Sequence, residues 1–92
     1  MSLALPPQLA ACLEVLYAAA VEARLLGYEG HERGLTSRQA DQLADLMDAI
    51  HNIPHQLCDW ERCDESLLRA MLHDYDVRWG GSLLVRYEAK LS

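Results

Sequence analysis

Phenylalanine is absent from this chain of 92 residues, and valine and isoleucine are scarce. Hydrophobic residues nevertheless make up 51% of the sequence, and most of them are leucine or alanine. β-Branched and aromatic side chains favour strands, whereas leucine and alanine lose little side-chain entropy in a helix. The composition therefore predicts an all-α fold, and the hydrophobic fraction excludes a disordered chain.

Basic residues are also few: 8 lysines and arginines stand against 14 aspartates and glutamates, which gives a formal net charge of −6. A negative surface repels phosphate backbones and anionic lipid headgroups. We therefore expect neither a nucleic-acid partner nor a membrane partner. The same charge would suit a basic protein partner.

The sequence has only three cysteines, at positions without the spacing of a disulfide framework or a zinc knuckle. The apolar N-terminus lacks the basic flank of a signal peptide, and no uninterrupted apolar run reaches the ~18 residues of a membrane span. These absences predict a cytoplasmic protein.

No repeat or long linker divides the chain, so we expect one helical domain over residues 1–92. Glycines and prolines separate the predicted helices. The sequence predicts a small bundle of three to four antiparallel helices. The first covers residues 7–26, and the second begins with a Thr36/Gln39 capping box and has a break near Ile53–Pro54. The third is capped by Asp64, and a weaker fourth segment follows Ser82. Residues 27–37 are predicted to be a loop. The β-branched and aromatic content of 82–91 leaves a strand as the alternative for that segment.

The first predicted helix is apolar nearly all round, and such a helix is covered nearly all round. One stripe would face the core, and a second would meet another subunit. A domain this small often gains burial by dimerising. We therefore predict a homodimer, with an aromatic anchor beside Gly80–Gly81 as a further contact; the interface candidates are Ala11, Val15, Ala18 and Trp79.

Three carboxylates, Asp41, Asp45 and Asp48, share one side of the second helix, at a spacing that can hold a hard divalent cation. The stretch "QLADLMDAI" resembles, over about ten residues, an acidic motif of the all-helical nucleotide pyrophosphatases of the MazG type. That resemblance implies a Mg²⁺-dependent phosphohydrolase. Gln42 stands where the motif has a glutamate, and Glu29 and Glu32 fall in the predicted loop. The alternative is a solvated face opposite the apolar stripe.

The stretch "DAIHNIPH" contains Asp48, His51 and His55, which have the ligand types of a transition-metal site. Pro54 removes one amide and crowds the Ile50 carbonyl, so it favours a helix end over a continuous surface. A helix junction therefore explains this stretch better than a metal clasp.

No pattern identifies a catalytic or cofactor-binding residue, and we expect no cofactor. The sequence favours a non-enzymatic protein-interaction module with an accessory, regulatory or toxin-neutralising role. The alternative is a small Mg²⁺-dependent phosphohydrolase that uses the Asp41/Asp45/Asp48 face.

Overall fold

Four α-helices make up most of the residues that the computed structural model describes, 6–58 and 65–92. They are α1 (Pro7–Arg33), α2 (Ser37–Cys58), α3 (Glu65–Trp79) and α4 (Leu83–Leu91). The prediction of a small all-α bundle is confirmed, and residues 83–91 are helix rather than strand. The predicted cap Asp64 lies outside the described residues.

Helix α1 is longer than the sequence predicted, because Gly27 and Gly30 adopt helical angles and do not end it. Of the three glycines at this end of α1, Gly34 alone has a positive φ, of 74°, and its backbone amide donates to the Gly30 carbonyl at 3.0 Å. Gly30 also lies so close to the Leu35 side chain that a Cβ there would come within 2.9 Å of Leu35 Cγ. The predicted loop over 27–37 is therefore reduced to the short turn 34–36.

Helix α2 begins with the predicted capping box. The Gln39 amide donates to Thr36 Oγ1 at 3.1 Å, and the Thr36 amide donates to Gln39 Oε1 at 2.9 Å. The predicted break near Ile53–Pro54 is wrong, since α2 continues through Pro54. Pro54 lies in the final turns, where its missing amide removes a single intrahelical bond, and the fully buried Ile53 anchors this end in the core.

The turn between α3 and α4 is fixed by an aspartate that the sequence did not suggest. Gly80 ends α3 with a φ of 67°. The Asp76 carboxylate then accepts the amides of Leu83 at 2.8 Å and Leu84 at 2.9 Å. Asp76 thus caps α4, whereas Ser82 makes no side-chain cap.

One hydrophobic core draws on all four helices. Helix α1 packs against α2 and α4, and α3 closes the bundle by packing on α4 and, less closely, on α2. None of the helices in the described ranges combines the length and the apolar run needed to cross a bilayer. The fully enclosed side chains include Val15, Leu46, Ile53, Leu72, Leu83 and Tyr87.

Candidate interaction surfaces

The acidic stripe of α2 does not form one uniform surface. Asp41 and Asp48 are exposed, but Asp45 lies against α3. Asp45 Oδ2 accepts the Trp79 indole N–H at 2.7 Å and contacts Arg78 Nη1 at 3.2 Å. Asp45 is therefore a structural link between α2 and α3, with its charge balanced by Arg78.

Glu29 and Glu32 lie on helix α1 and not in the predicted loop, and Glu29 is set apart from Asp45. Gln39 Nε2 donates to Glu29 Oε2 at 3.4 Å, so Glu29 lies level with the first turn of α2. Asp45 is six residues further along α2, which is roughly 9 Å along the axis. Glu29 and Asp45 are thus set apart along the bundle.

Glu22, about two turns nearer the middle of α1, is instead bound to a tyrosine. The Tyr75 hydroxyl donates to Glu22 Oε2 at 2.7 Å and accepts from Gln42 Nε2 at 3.1 Å. Burial raises the pKa of the Tyr75 phenol above its ordinary value, and the hydrogen bond to Glu22 adds to the rise. This network ties α1, α2 and α3 together.

His51 and His55 form an exposed pair on α2, with ring centroids 4.6 Å apart in an edge-to-face arrangement. Both lie on one continuous helix, contrary to the predicted junction. No group of three histidine, cysteine, aspartate or glutamate side chains that could hold a metal ion occurs within 6–58 and 65–92. Asp48 therefore does not join the two histidines in a three-ligand cluster.

The predicted interface residues on α1 lie inside the chain's own core. Ala11, Val15 and Ala18 are buried, with exposed fractions of 0%, 1% and 9%. They belong to the chain's own hydrophobic core and present little surface to a second subunit. Trp79 is half-buried, and the guanidinium groups of Arg38 and Arg78 lie 4.8 and 5.0 Å from its ring centre.

The exposed side of α1 is nevertheless apolar. Its large side chains follow one helical face for more than four turns, on the side opposite the core. We call this surface the outer ridge; it consists of Leu13, Tyr17, Val21, Leu25 and Tyr28, which are 41%, 71%, 39%, 62% and 57% exposed.

A shallow depression of about 410 Å³ lies at the C-terminal end of the outer ridge, lined by Arg24, Gly27, Tyr28 and His31. Arg24 Nη2 donates to the Tyr28 hydroxyl at 2.9 Å, and its guanidinium lies 5.3 Å from the Tyr28 ring centre. Arg24 is thus folded along the ridge and does not extend into solvent. Gly27 leaves the floor open, as a Cβ there would meet nothing within 4 Å.

A second concave surface, the α2–α3 groove, lies where these two helices pack least closely. Its volume is about 470 Å³. Its floor is apolar and includes Ala49, Met71, Leu72 and Leu83, while its rim carries Asp45, Asp48, Asn52, Asp74 and Arg78. Across the groove, Asn52 Nδ2 lies 3.9 Å from Met71 Sδ.

No protein-family model, curated protein or solved structure matches this chain. Its function is therefore inferred from the chemistry of these surfaces.

The sequence already carried a signal for the outer ridge, since it showed α1 to be apolar on two sides. What it did not show was which side faces inward. Val15 was predicted to lie at the interface and is buried, whereas Leu13, two residues before it, is exposed. Tyr17, Arg24 and Tyr28 were the useful markers, because two tyrosines and an arginine on one face favour a surface over a leucine–alanine core.

Proposed function

We propose that this chain is a cytoplasmic protein-interaction module that works as a homodimer, two copies packing antiparallel through the outer ridge of α1. The observation that supports this function is the ridge itself, an apolar face more than four turns long on the side opposite the core. A surface helix normally places polar residues there. Burial against a second copy removes these side chains from water.

The size of the ridge suits a small interface. Tyr17 and Tyr28 are 71% and 57% exposed, so their side chains alone leave roughly 250 Å² open to solvent. With the leucines and Val21, one copy presents on the order of 500 Å², at the upper end for a patch on a monomer. Two such ridges reach about 1,000 Å², the low end for a specific interface. We therefore expect a dimer that forms in the micromolar range.

The order of residues along the ridge favours an antiparallel partner. Positions 13 and 28, 17 and 24, and 20 and 21 are each equidistant from the midpoint between Ala20 and Val21. A twofold axis through that midpoint would pair like surfaces: Leu13 would lie opposite Tyr28, and Tyr17 opposite Arg24. The second contact would be a cation–π pair, so Arg24 would gain a second aromatic partner beside Tyr28 of its own chain.

The depression beside Tyr28 has the form of a hole in knobs-into-holes packing. Positions 24, 27, 28 and 31 are the i, i+3, i+4 and i+7 corners of such a hole. In the antiparallel register its centre lies opposite Leu13 of the second copy. An exposed glycine inside a helix costs roughly 0.5–1 kcal/mol relative to alanine. A Cβ at position 27 would meet nothing within 4 Å in its own chain, so the fold of one copy does not require a glycine there. The space that Gly27 leaves for Leu13 of the second copy would explain it.

The phosphohydrolase alternative gains less support. Asp45, the middle carboxylate of its proposed site, is bound to Trp79 and Arg78. Glu22 accepts a hydrogen bond from Tyr75, and Glu29, level with Gln39, is set apart from Asp45 along the bundle. None of these contacts explains the exposed apolar outer ridge, whereas an interaction role does.

Sedimentation equilibrium tests the homodimer. Wild-type protein should be dimeric at about 100 µM, whereas Leu25→Glu should weaken the dimer about 100-fold or more, because a carboxylate would be buried without a partner. Met47→Glu is the matched control, since Met47 is 53% exposed but lies on α2, away from the ridge. A monomeric wild type at this concentration, or equal loss of dimer in both variants, would contradict the proposal.

A charge swap tests the antiparallel register. Tyr17→Arg should weaken the dimer by placing an arginine opposite Arg24 of the second copy, and Arg24→Glu should weaken it by placing a carboxylate against Tyr17. The double variant should recover dimerisation, because each arginine would then face a glutamate. In a parallel dimer the same double variant would set like charges against each other, so failure to recover would reject the antiparallel arrangement.

A further inference from the structure

We infer that the α2–α3 groove is a docking site for an amphipathic helix of a second protein, one with an apolar face flanked by lysines or arginines. This inference rests on the proposed function, in that it names the partner chemistry of an interaction module. It concerns the side of the molecule away from the outer ridge, so the two surfaces are open to separate tests.

The shape of the groove fits a helix. α2 and α3 pack less closely on each other than the other neighbouring pairs of helices, and the space between them measures about 470 Å³. A groove between two helices is a common receptor for the apolar face of a third, which inserts side chains at i, i+3 or i+4, and i+7. Ala49, Met71 and Leu72 provide an apolar floor, and a methionine side chain adapts readily to different apolar ligands.

The charge of the rim selects the partner. Asp45 and Asp48 line the α2 side, and Asp74 lines the α3 side. Among the described residues that line the groove, Arg78 is the one basic side chain, and it contacts Asp45 at 3.2 Å. Asp48 and Asp74 are exposed on opposite walls, so a helix lying between them would meet a carboxylate on each flank. Basic residues on both sides of an apolar stripe complement this arrangement.

A synthetic peptide provides the probe: a helix of about 14 residues, or four turns, with leucines on one face and lysines on both flanks. Its binding is measured by fluorescence anisotropy. A second peptide replaces every lysine with glutamate. We expect the lysine peptide to bind in the micromolar range and the glutamate peptide to bind at least about tenfold more weakly. Equal binding of the two peptides, or no binding of the lysine peptide, would overturn the inference.

Charge reversal on the rim tests the location. The double variant Asp48→Lys/Asp74→Lys should weaken binding of the lysine peptide about tenfold or more, since both flanking contacts would become repulsive. Asp41→Lys is the matched control, because Asp41 is also exposed on α2 but does not line the groove. Asp41→Lys should change the affinity by less than about twofold after correction for net charge. If both variants lost a comparable amount of peptide affinity per reversed charge, the lysine peptide would be attracted to the whole acidic surface, and the groove would be rejected as its site.

The methionine methyl groups report where the peptide lies. Met71 lines the groove, whereas Met47 is exposed on α2 outside its lining. In spectra of methyl-labelled protein, the peptide should shift the Met71 resonance and leave that of Met47 in place. The reverse pattern would place the peptide elsewhere and overturn the inference.

Two further measurements separate this inference from the homodimer. The lysine peptide should bind Leu25→Glu as tightly as wild type, because that residue lies on the outer ridge. The Asp48→Lys/Asp74→Lys variant should remain dimeric in sedimentation. If the wild type is monomeric yet binds the peptide through the rim, the groove stands and the dimer fails. If higher oligomers form and disappear in the rim variant, the occupant is another copy of the chain, and the inference is wrong.

Discussion

The two longest helices, α1 and α2, pack against each other but present opposite outer faces. On α2 the exposed side carries Asp41, Asp48 and His51, and Met47 is the one large exposed apolar residue among its described side chains. On α1 the exposed side over residues 13–28 is the outer ridge, with Arg24 beside its tyrosines. Both helices bury an inner stripe in the same core, so the difference lies only in what each shows to the outside.

The contrast separates two reasons for a helix to be apolar. Helix α2 is amphipathic because one stripe is buried and the rest is solvated, which is the usual arrangement for a surface helix. Helix α1 buries Ala11, Val15 and Ala19 in the same manner, yet its far side is apolar as well. The chain's own core explains only the first of these faces. The second face is what we assign to contact with another molecule.

The adjacent leucines of α1 test this separation with the largest expected effect. Leu26→Ala should lower the free energy of unfolding of the monomer by about 3 kcal/mol, because a buried leucine leaves a cavity. Leu25→Ala, at a 62% exposed position, should leave the monomer's stability nearly unchanged and weaken the dimer. Urea unfolding at concentrations below dimer formation measures the first effect, and sedimentation measures the second. Similar losses of monomer stability in both variants would mean that the two sides of α1 are not distinct.

The four tyrosines divide in the same way and give a pH dependence. Tyr17 and Tyr28 lie on the outer ridge, whereas Tyr75 and Tyr87 are buried. Burial raises the pKa of Tyr87 to about 12 and moves that of Tyr75 in the same direction. A pKa that is higher in the folded state gives stability that is present below the unfolded-state value, near 10, and is lost as the pH rises through the folded-state value.

We therefore expect the free energy of unfolding to fall between pH 9 and pH 11 by on the order of 2 kcal/mol from these two phenols together. Urea unfolding of the wild type across this range measures the loss. The double variant Tyr75→Phe/Tyr87→Phe should show a much shallower fall, whatever its stability at pH 7. An unchanged slope would assign the alkaline loss to other groups.

How far the sequence alone could reach is clear from particular residues. The capping box of Thr36 and Gln39 is a local pattern, and the structure confirms it. The all-α composition likewise needs no tertiary information. The predicted ends of α1 and α2 were wrong because a glycine or a proline can either end a helix or lie within it. Gly30 stays helical beside Leu35, and Pro54 stays helical where Ile53 is held in the core.

The surfaces were harder to predict because they depend on which helices are neighbours. When a helix has two apolar faces, the sequence does not show which face will be buried against α2 and α4. Residue type alone therefore could not distinguish the buried Val15 from the exposed Val21. Asp45 had the pattern of a solvated or metal-binding residue until Trp79 and Arg78 were brought to it from α3. Local chemistry was predictable, and the assignment of faces was not.

The contrast between inner and outer positions can also be measured on α2, where Asp45 contacts α3 and Asp48 is exposed. This comparison has the smallest expected effect. Asp45→Ala should lower the free energy of unfolding by about 1 kcal/mol more than Asp48→Ala, because it removes the acceptor of the Trp79 indole N–H and the partner of Arg78. Both variants gain the same helix propensity from alanine, so their difference isolates the contact with α3. Urea unfolding at neutral pH measures it. Equal stability of the two variants would mean that the Asp45 contacts contribute nothing beyond those of an exposed aspartate, and the packing of α2 on α3 would then rest on apolar contacts and the Gln42–Tyr75 hydrogen bond.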